Sequence, residues 1–556
     1  MHPVCVHLRA MPGRLRANPL RAARDVQRGY GLGSSLKPTR PQRLSNASHT
    51  YGTRSRRFLQ LHARLRLSCT TASPTRVPHM PQIFARRPIA APNSQGFSRQ
   101  IGGLGLIALG VGGIIGTGIF VLTGTAAALH AGPAVALSFV IAAFACALAA
   151  MCYAELATVI PVSGSAYSYT YATLGELPAW FVAWNLILEY LLGASLVAVG
   201  WSGYLVSALA DVGVSIPAAL TQAPLAHTAS GWQSSGALFN LPAMAVIAVM
   251  GALAYTGLRN SARANAVFLM IKLFVILGFI VFGIWHVDAT RWLPFIPENT
   301  GIAGQFGWTG VMQGAAMVFF TYLGFDALAT MAQEVKQPQR NVPIGIFGAL
   351  AVCTVLYIAV AMVVTGLVDY RDLNVDAPVA LALDRTAALL WLAPWLKWGA
   401  IAGMTSVLLV ILTALPRIFH AVASDGLLPT RLARLHPRFA TPAILIVICT
   451  GTAMLMAGLL PLHVLGELIS LGTLAAFSVV CAAVPVLRRT RPDLKRAFRV
   501  PFADFTASLG VLACLYLMSS VSAAGWIRFG AWTVIGIALY ALYGYHRSPL
   551  RRGEVH

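Results

Sequence analysis

The sequence predicts an all-α integral membrane protein of twelve transmembrane helices, the first and sixth of them discontinuous. Three observations predict it. Charge is scarce: 11% of the residues are charged and 57% are hydrophobic, whereas a soluble domain carries about a quarter charged residues. Most of the surface therefore cannot face water. The apolar residues also come in long runs, such as 268–285 with the single charge Lys272 and 349–368 with none. Runs of about 20 residues match the ~30 Å hydrocarbon core of a bilayer. Lipid offers no partner for backbone N–H and C=O, so each run must be helical, and the ten-residue alternation of an outer-membrane barrel is missing. Finally, two of the runs carry glycines or an acid where an ordinary span carries neither.

The spans run approximately over 103–129, 133–157, 177–206, 241–257, 264–286, 309–333, 343–367, 397–423, 441–460, 465–487, 504–523 and 529–545. Residues 101–287 thus hold helices 1–5, residues 309–487 hold helices 6–10, and residues 503–546 hold the last two, with a C-terminal end at 547–556. Ahead of them, residues 1–100 are rich in Arg, Ser and Pro. They hold eighteen Lys and Arg against the single acid Asp25, so most of the net charge of +23 belongs to this tail. Nucleic-acid binding is not needed to explain it. The composition is that of a disordered chain, and it resembles a transit peptide. A third reading starts translation at Met80 and makes residues 1–79 a gene-model extension.

Basic residues orient the spans. With the N-terminus in the cytoplasm, the inside loops and ends hold seventeen Lys and Arg, among them Arg259, Arg417, Arg488 and Arg551. The outside loops hold five, Arg291, Arg371, Arg385, Lys397 and Arg528. This asymmetry follows the positive-inside rule and puts both termini in the cytoplasm. Trp180, Trp201, Trp285, Trp292, Trp395 and Trp526 fall near span ends, as interfacial aromatics do. The eight cysteines form no CxxC pair; six lie inside apolar segments, as small hydrophobes do.

The first span reads GVGGIIGTGIF at 110–120, with five glycines in nine residues, each weakening a helix by about 1 kcal/mol relative to Ala. The sixth reads FFTYLGFD at 319–326, placing a Gly and Asp326 inside the membrane. Interrupted helices at matching positions of two halves point to a solute site at the bilayer midplane. A half-helix N-terminus attracts a carboxylate and freed carbonyls attract an ammonium, so a zwitterion suits such a site. The plainer reading is packing, with Gly112 and Gly116 as a GxxxG contact. A nucleotide loop is excluded, because the spacing fails GxGxxG and no strand precedes it.

Two charges lie deep in spans, Glu189 in the third and Lys272 in the fifth. A central charge costs at least ~2.5–3.5 kcal/mol on insertion, so it usually faces a cavity or a partner. An apolar setting lets a lysine exchange its proton near neutral pH. Lys272 is therefore the candidate proton carrier, with Glu189 as a second proton-coupling group; the plainer reading pairs Lys272 with Glu189 or with carbonyls as a static cation. Glu155, Glu334 and Asp425 sit at cytoplasmic span ends, where solvation is the plainer reading and gating or structure the functional one. In the eighth span, Thr405 and Ser406 either bond their own helix or form an ion site or a partner for Lys272.

At these residues the sequence resembles the amino acid–polyamine–organocation superfamily, and within it the cationic amino acid transporter family of bacterial type. The resemblance covers about residues 100–545. It rests on GIIGTGIF (113–120), YAEL (153–156), PVSGSAY (161–167), LEY (188–190), VGWSGY (199–204), FTYLGFD (320–326), GMTSVLL (403–409), DGLLP (425–429), RPD (491–493) and FRVP (498–501), in order and at family spacing. Departures are ALPR at 414–417, where the family often has a Gly-Gln pair before the arginine, and FADFT at 502–506 in place of a second proline-rich turn. The resemblance implies a five-plus-five inverted repeat, alternating access and the inner membrane of a bacterium. It implies that the substrate carboxylate meets the backbone of Ile115, Gly116, Thr117 and Gly118. The ammonium then meets carbonyls of the first and sixth spans, the latter over Phe320, Thr321, Tyr322 and Leu323, with Phe320 as an aromatic gate. Lys272 matches the lysine that replaces a sodium ion in proton-coupled members, and Thr405 and Ser406 match sodium-site hydroxyls of sodium-coupled relatives.

The expectation is a secondary transporter that imports amino acids with protons, without cofactor, metal or nucleic acid. Its partners are an amino acid, a proton and the bilayer, with an accessory membrane subunit or a homo-oligomer left open. Glu189 is the candidate acid for a cationic side chain; Met404 instead caps an apolar pocket for a neutral one. Competing readings are a sodium-coupled or exchange-type carrier and an amino-acid sensor without net transport. An intramembrane enzyme lacks a nucleophile–base pair: His130, His286 and His463 lie at span borders and no GxSxG occurs.

Overall fold

The computed structural model describes residues 84, 86–87, 101–160, 166–228, 231–257, 262–302, 304–330, 335–439 and 441–548. These residues are helical apart from one small hairpin and the connecting loops. Each of the twelve expected segments carries helix. The order is α1 Gly103–Ile114, α2 over 118–131, α3 Val135–Val159, α4 Ala166–Thr173, α5 Glu176–Asp211, α6 Leu241–Tyr255, α7 Ala262–Gly283 and α8 Gly307–Val318. It continues with α9 Phe325–Thr330, α10 Pro338–Leu367, α11 Pro378–Asp384, α12 Ala393–Ser424, α13 Ala443–Leu459, α14 Leu462–Thr490, α15 Ala503–Ser519 and α16 Ala523–Leu539. Between α5 and α6, strands Leu225–Thr228 and Gly231–Ser234 pair antiparallel, Leu225 opposite Ser234. Seven helical stretches among the described residues are long and apolar enough to cross a bilayer; α1, α6, α13 and α15 are shorter apolar helices.

Local chemistry sets many of the ends. Proline sits in the first turn of α6, α10, α11 and α12, where its missing N–H costs nothing. Asn240 caps α6 by accepting from the Ala243 amide at 3.2 Å, and the Ser202 hydroxyl of α5 donates to the same oxygen at 2.7 Å. Ser522 caps α16 through the Gly525 amide. The central strut is α5, 36 residues long and buried over most of its length, with α12 and α14 packed along it. α4, α6 and α13 also pack on it, and α3 packs against α8, α10 and α14, while α7 and α16 turn most of their surface outward.

Three expectations change here. Trp180 is buried rather than interfacial: its indole donates to the Gly536 carbonyl at 2.9 Å, and it stacks on Trp184, which stacks on Trp532 at 4.3 Å. These rings bind α16 to α5. Glu155 is not a solvated span end but 1% exposed. Arg488 donates to both its carboxylate oxygens, Arg496 lies 3.5 Å from one, and the Val500 amide donates to the other at 2.7 Å. One carboxylate thus folds the loop after α14 back onto α3. Breaking a buried ion pair costs about 3–5 kcal/mol, and the partial exposure of Arg488 puts Glu155→Ala at the lower end. A thermal midpoint several degrees below the parent's in detergent is expected; an unchanged midpoint would contradict this role.

The third change concerns the tail. Residues 1–83, 85 and 88–100 lie outside the described residues, as do 549–556 of the C-terminal end, so the readings made for them stand as expectations. Arg87, however, is held: its amide donates to the Tyr171 carbonyl at 3.3 Å and its guanidinium donates to Asp425 at 3.1 Å. The backbone of Phe84 passes so close to Gly175 that a Cβ there would fall 2.7 Å from it. The six described cysteines are all buried and unpaired.

Candidate functional site

Both glycine-marked spans are broken. α1 ends at Ile114, Ile115 is extended, and helix resumes at Gly118, partly as π-helix. The sixth span ends α8 at Val318, makes a 3-10 turn over Phe319–Tyr322, and restarts at Phe325 after Gly324, whose φ of +109° favours glycine. The two breaks touch. A Cβ on Gly118 would lie 2.4 Å from the Thr321 Cβ, and one on Gly324 would lie 3.1 Å from the Gly113 backbone. The packing reading of Gly112 and Gly116 does not hold, since their nearest neighbours stand at 3.8 and 3.4 Å and both line a cavity instead.

That cavity measures about 530 Å³. It runs from the start of α1 at Ile101 and Gly105, past Leu328 and Ala414, to Gly116, Thr117, Gly118, Phe320 and Thr321 at the breaks. Along it Gly105, Ala108 and Gly113 are exposed, whereas Gly118, Phe320 and Thr321 are buried. It is open toward the face that carries Ile101, which is also where Ile101 bridges to Val335. On the opposite face the way is shut. α11 and the residues leading into it pack so closely that a Cβ on Gly124 would meet Pro378 at 2.3 Å, and one on Gly203 would meet Asp376 at 2.4 Å. Lys397, 0% exposed, ties Asp211 of α5 to Asp384 of α11 at 2.8 and 2.9 Å. Phe320 closes the inner end, its ring 3.6 Å from a Cβ placed on Gly193.

Lys272 lies on the cavity wall and is 1% exposed. Its ammonium donates to the carbonyls of Gly112 and Ile115, each at 3.0 Å. These belong to the C-terminal end of α1, where unpaired carbonyls and the helix dipole favour a cation. The lysine is therefore not paired with Glu189. It reaches the site because Gly403 of α12 lets its stem pass; a Cβ there would stand 2.8 Å from the Lys272 Cγ. At the start of α2 the first amides have no partner within their own helix, and the buried Thr117 hydroxyl beside them finds no hydrogen-bond partner. An anionic group fits there and a cationic group fits at the freed carbonyls.

The other expected site residues divide between the cavity and its surroundings. Ile115 and Tyr322 do not line the cavity; the Tyr322 hydroxyl donates to the Phe139 carbonyl at 3.0 Å, turning the ring toward α3. Met404 does not line it either, and its sulfur lies 3.6 Å from a Cβ placed on Gly200. Leu323 and Ser406 do line it. Thr405 donates to the Ile401 carbonyl and accepts from the Trp201 indole at 2.9 Å, so Lys272 is not its partner. Glu189 is fully buried off the cavity, and neither carboxylate oxygen makes a hydrogen bond; the nearby Thr473 hydroxyl donates to Ile469 instead. Asp326 accepts from the Gly324 amide at 3.2 Å, capping the restart of the sixth span. Asp425 accepts from Tyr167 at 2.8 Å as well as from Arg87. Burial pushes its carboxyl above the usual range while Arg87 and Tyr167 pull it back. Glu334 lies outside the described residues.

The sequence profile of the amino acid permease family matches residues 101–542. The chain belongs to the amino acid permease family. As a permease it falls in the amino acid–polyamine–organocation superfamily, and its relatives are transporters rather than enzymes. It is 44% identical over 482 residues to the methylthioribose transporter of Bacillus subtilis, covering 85% of this chain and all of the relative. It is 42% identical over 464 residues to the branched-chain amino acid permease BcaP of the same organism, covering 83% and 97%. With the vacuolar cationic amino acid transporter 4 of Arabidopsis thaliana the permease shares 37% identity over 397 residues, covering 71% of this chain and 64% of the relative.

Several residues of the permease site escaped the sequence reading. Tyr190 and Val197 of α5 and Val407 of α12 line the cavity, yet each reads as one more apolar position in an apolar span.

Proposed function

We propose that this permease is a secondary transporter that carries neutral, apolar amino acids into the cytoplasm with protons. It works by alternating access in a twelve-span, five-plus-five inverted repeat with both termini inside. The face that carries Ile101 is then cytoplasmic, in the inner membrane of a bacterium, and the conformation described above is inward-open. One observation carries the reading: the Lys272 ammonium occupies the freed carbonyls of α1 beside a cavity shared by two broken helices. A lysine there supplies the cation that a sodium ion would otherwise supply, and unlike sodium it can deliver a proton. Glu189, buried without a hydrogen bond, is the second group proposed to take part in proton coupling. Asp425, with Arg87 and Tyr167, is proposed to hold the segment before α1 on the cytoplasmic face in this inward-open state.

The substrate class follows from the lining. Tyr190, Val197, Phe320, Val407 and Ile411 surround the breaks, and no acid is among the described residues that line the cavity. A cationic side chain would bring an unpaired charge there. The names of two relatives, a branched-chain permease and a methylthioribose transporter, agree with an apolar pocket. In proteoliposomes, labelled leucine should accumulate under an inward proton gradient without sodium. Unlabelled isoleucine and valine should compete, and arginine should not. Uptake that demands sodium would favour the sodium carrier, exchange without accumulation the exchanger, and binding without movement the sensor.

A further inference from the structure

Tyr357 of α10 reaches both breaks at once. Its hydroxyl stands 3.0 Å from the Ile114 carbonyl, the last of α1, and 2.8 Å from the Thr321 carbonyl in the 3-10 turn of the sixth span. The side chain is fully buried, wedged between the rings of Phe139 and Tyr322 at 5.3 Å each, so it cannot swing away. It does not line the cavity, but Ile114 and Thr321 both do. A hydroxyl carries one proton. It can donate to one of the two carbonyls at a time, and the other is left short of a donor.

We infer that Tyr357 is a positioning residue of the transport site. Its hydroxyl joins the two interrupted helices and fixes the separation of the Ile114 and Thr321 carbonyls against which an amino acid's ammonium group is recognised. Around the breaks the freed carbonyls are then shared out between two protein donors on different helices. Lys272 of α7 takes Gly112 and Ile115, and Tyr357 of α10 serves either Ile114 or Thr321 at a time. The lysine can lose its proton in a transport cycle. The tyrosine keeps its own, so it holds geometry without contributing to coupling. This rests on the permease reading above.

The test is Tyr357→Phe, which removes one oxygen and keeps the wedge. Parent and variant are compared in proteoliposomes for KM, maximal rate and pH profile of leucine uptake, with thermal midpoints in detergent as a check on folding. One buried hydrogen bond is worth about 0.5–1.5 kcal/mol, or about tenfold at its upper end. The expected result is a KM raised about tenfold, a maximal rate within about twofold of the parent's, an unmoved pH profile and a folded protein. A KM within twofold of the parent's overturns the assignment. So does a loss confined to maximal rate in step with lost folded protein, which is what a purely structural tyrosine would give, and so does a shifted pH profile. If the parent itself moves no amino acid, the permease reading fails instead.

Discussion

Replacing Lys272 with arginine or alanine will abolish accumulation driven by a proton gradient. The parent should concentrate leucine under an inward gradient of one pH unit, to at most about tenfold if one proton moves per substrate. Both variants should reach only the level seen without a gradient. They fail for different reasons. Arginine never releases its proton, so the site stays charged through the cycle; its larger head must also fit where a Gly403 Cβ would already touch the lysine stem at 2.8 Å. Alanine leaves the Gly112 and Ile115 carbonyls without an ammonium donor, and hydrogen bonds to charged groups are worth about 1.5–3 kcal/mol each. Water can reach those carbonyls, because Lys272 lies on the cavity wall, so the Ala variant should still fold. It should also exchange external for internal leucine at equal pH on both sides, with a rate that no longer varies with pH. Accumulation that survives Lys272→Ala would remove the lysine from the coupling mechanism.

How much of this was legible beforehand depends on what kind of signal carried it. Glycine density in the first span and Gly-Phe-Asp in the sixth gave the breaks, because loss of helix propensity is a local property of sequence. Lys272 stood out for the same reason, as a charge where lipid tolerates none. What failed was direction. The Phe319–Tyr322 turn is a 3-10 helix, in which successive side chains turn by about 120° instead of 100°. The resemblance placed Tyr322 at the site through its backbone and said nothing of its ring, which points at Phe139 rather than into the cavity. Partners distant in sequence were also hidden. Nothing near Glu155 announces Arg488 and Val500, and nothing near Thr405 announces Trp201. Tyr357 reads as one more aromatic in an apolar run until the fold brings Ile114 and Thr321 to its hydroxyl. The acidic span ends illustrate the same limit: Glu155 anchors a loop and Asp425 holds Arg87, where the sequence left a solvated carboxylate as the plainer reading.

Gly118→Ala should bring leucine uptake close to background while leaving a folded, membrane-inserted protein. The added methyl would stand 2.4 Å from the Thr321 Cβ and 2.9 Å from its Cα. The second of these is backbone, so no rotamer change relieves the contact, and α2 and the 3-10 turn of the sixth span must move apart. Overpacking of this kind typically costs about 1–3 kcal/mol, which a protein with so extensive a core can absorb. Function is less forgiving, because a displacement of about 1 Å between positioned groups can cost on the order of 100-fold in rate. The same displacement would pull the Thr321 carbonyl from Tyr357. Gly530→Ala is the control: it also adds one methyl to a membrane helix, but nothing lies within 4 Å of it, and parental uptake is expected. The comparison isolates the contact between the broken helices from the general effect of replacing a glycine. Equal uptake by the two variants would mean that the breaks do not need their close approach to carry substrate, and the shared-cavity site would have to be abandoned.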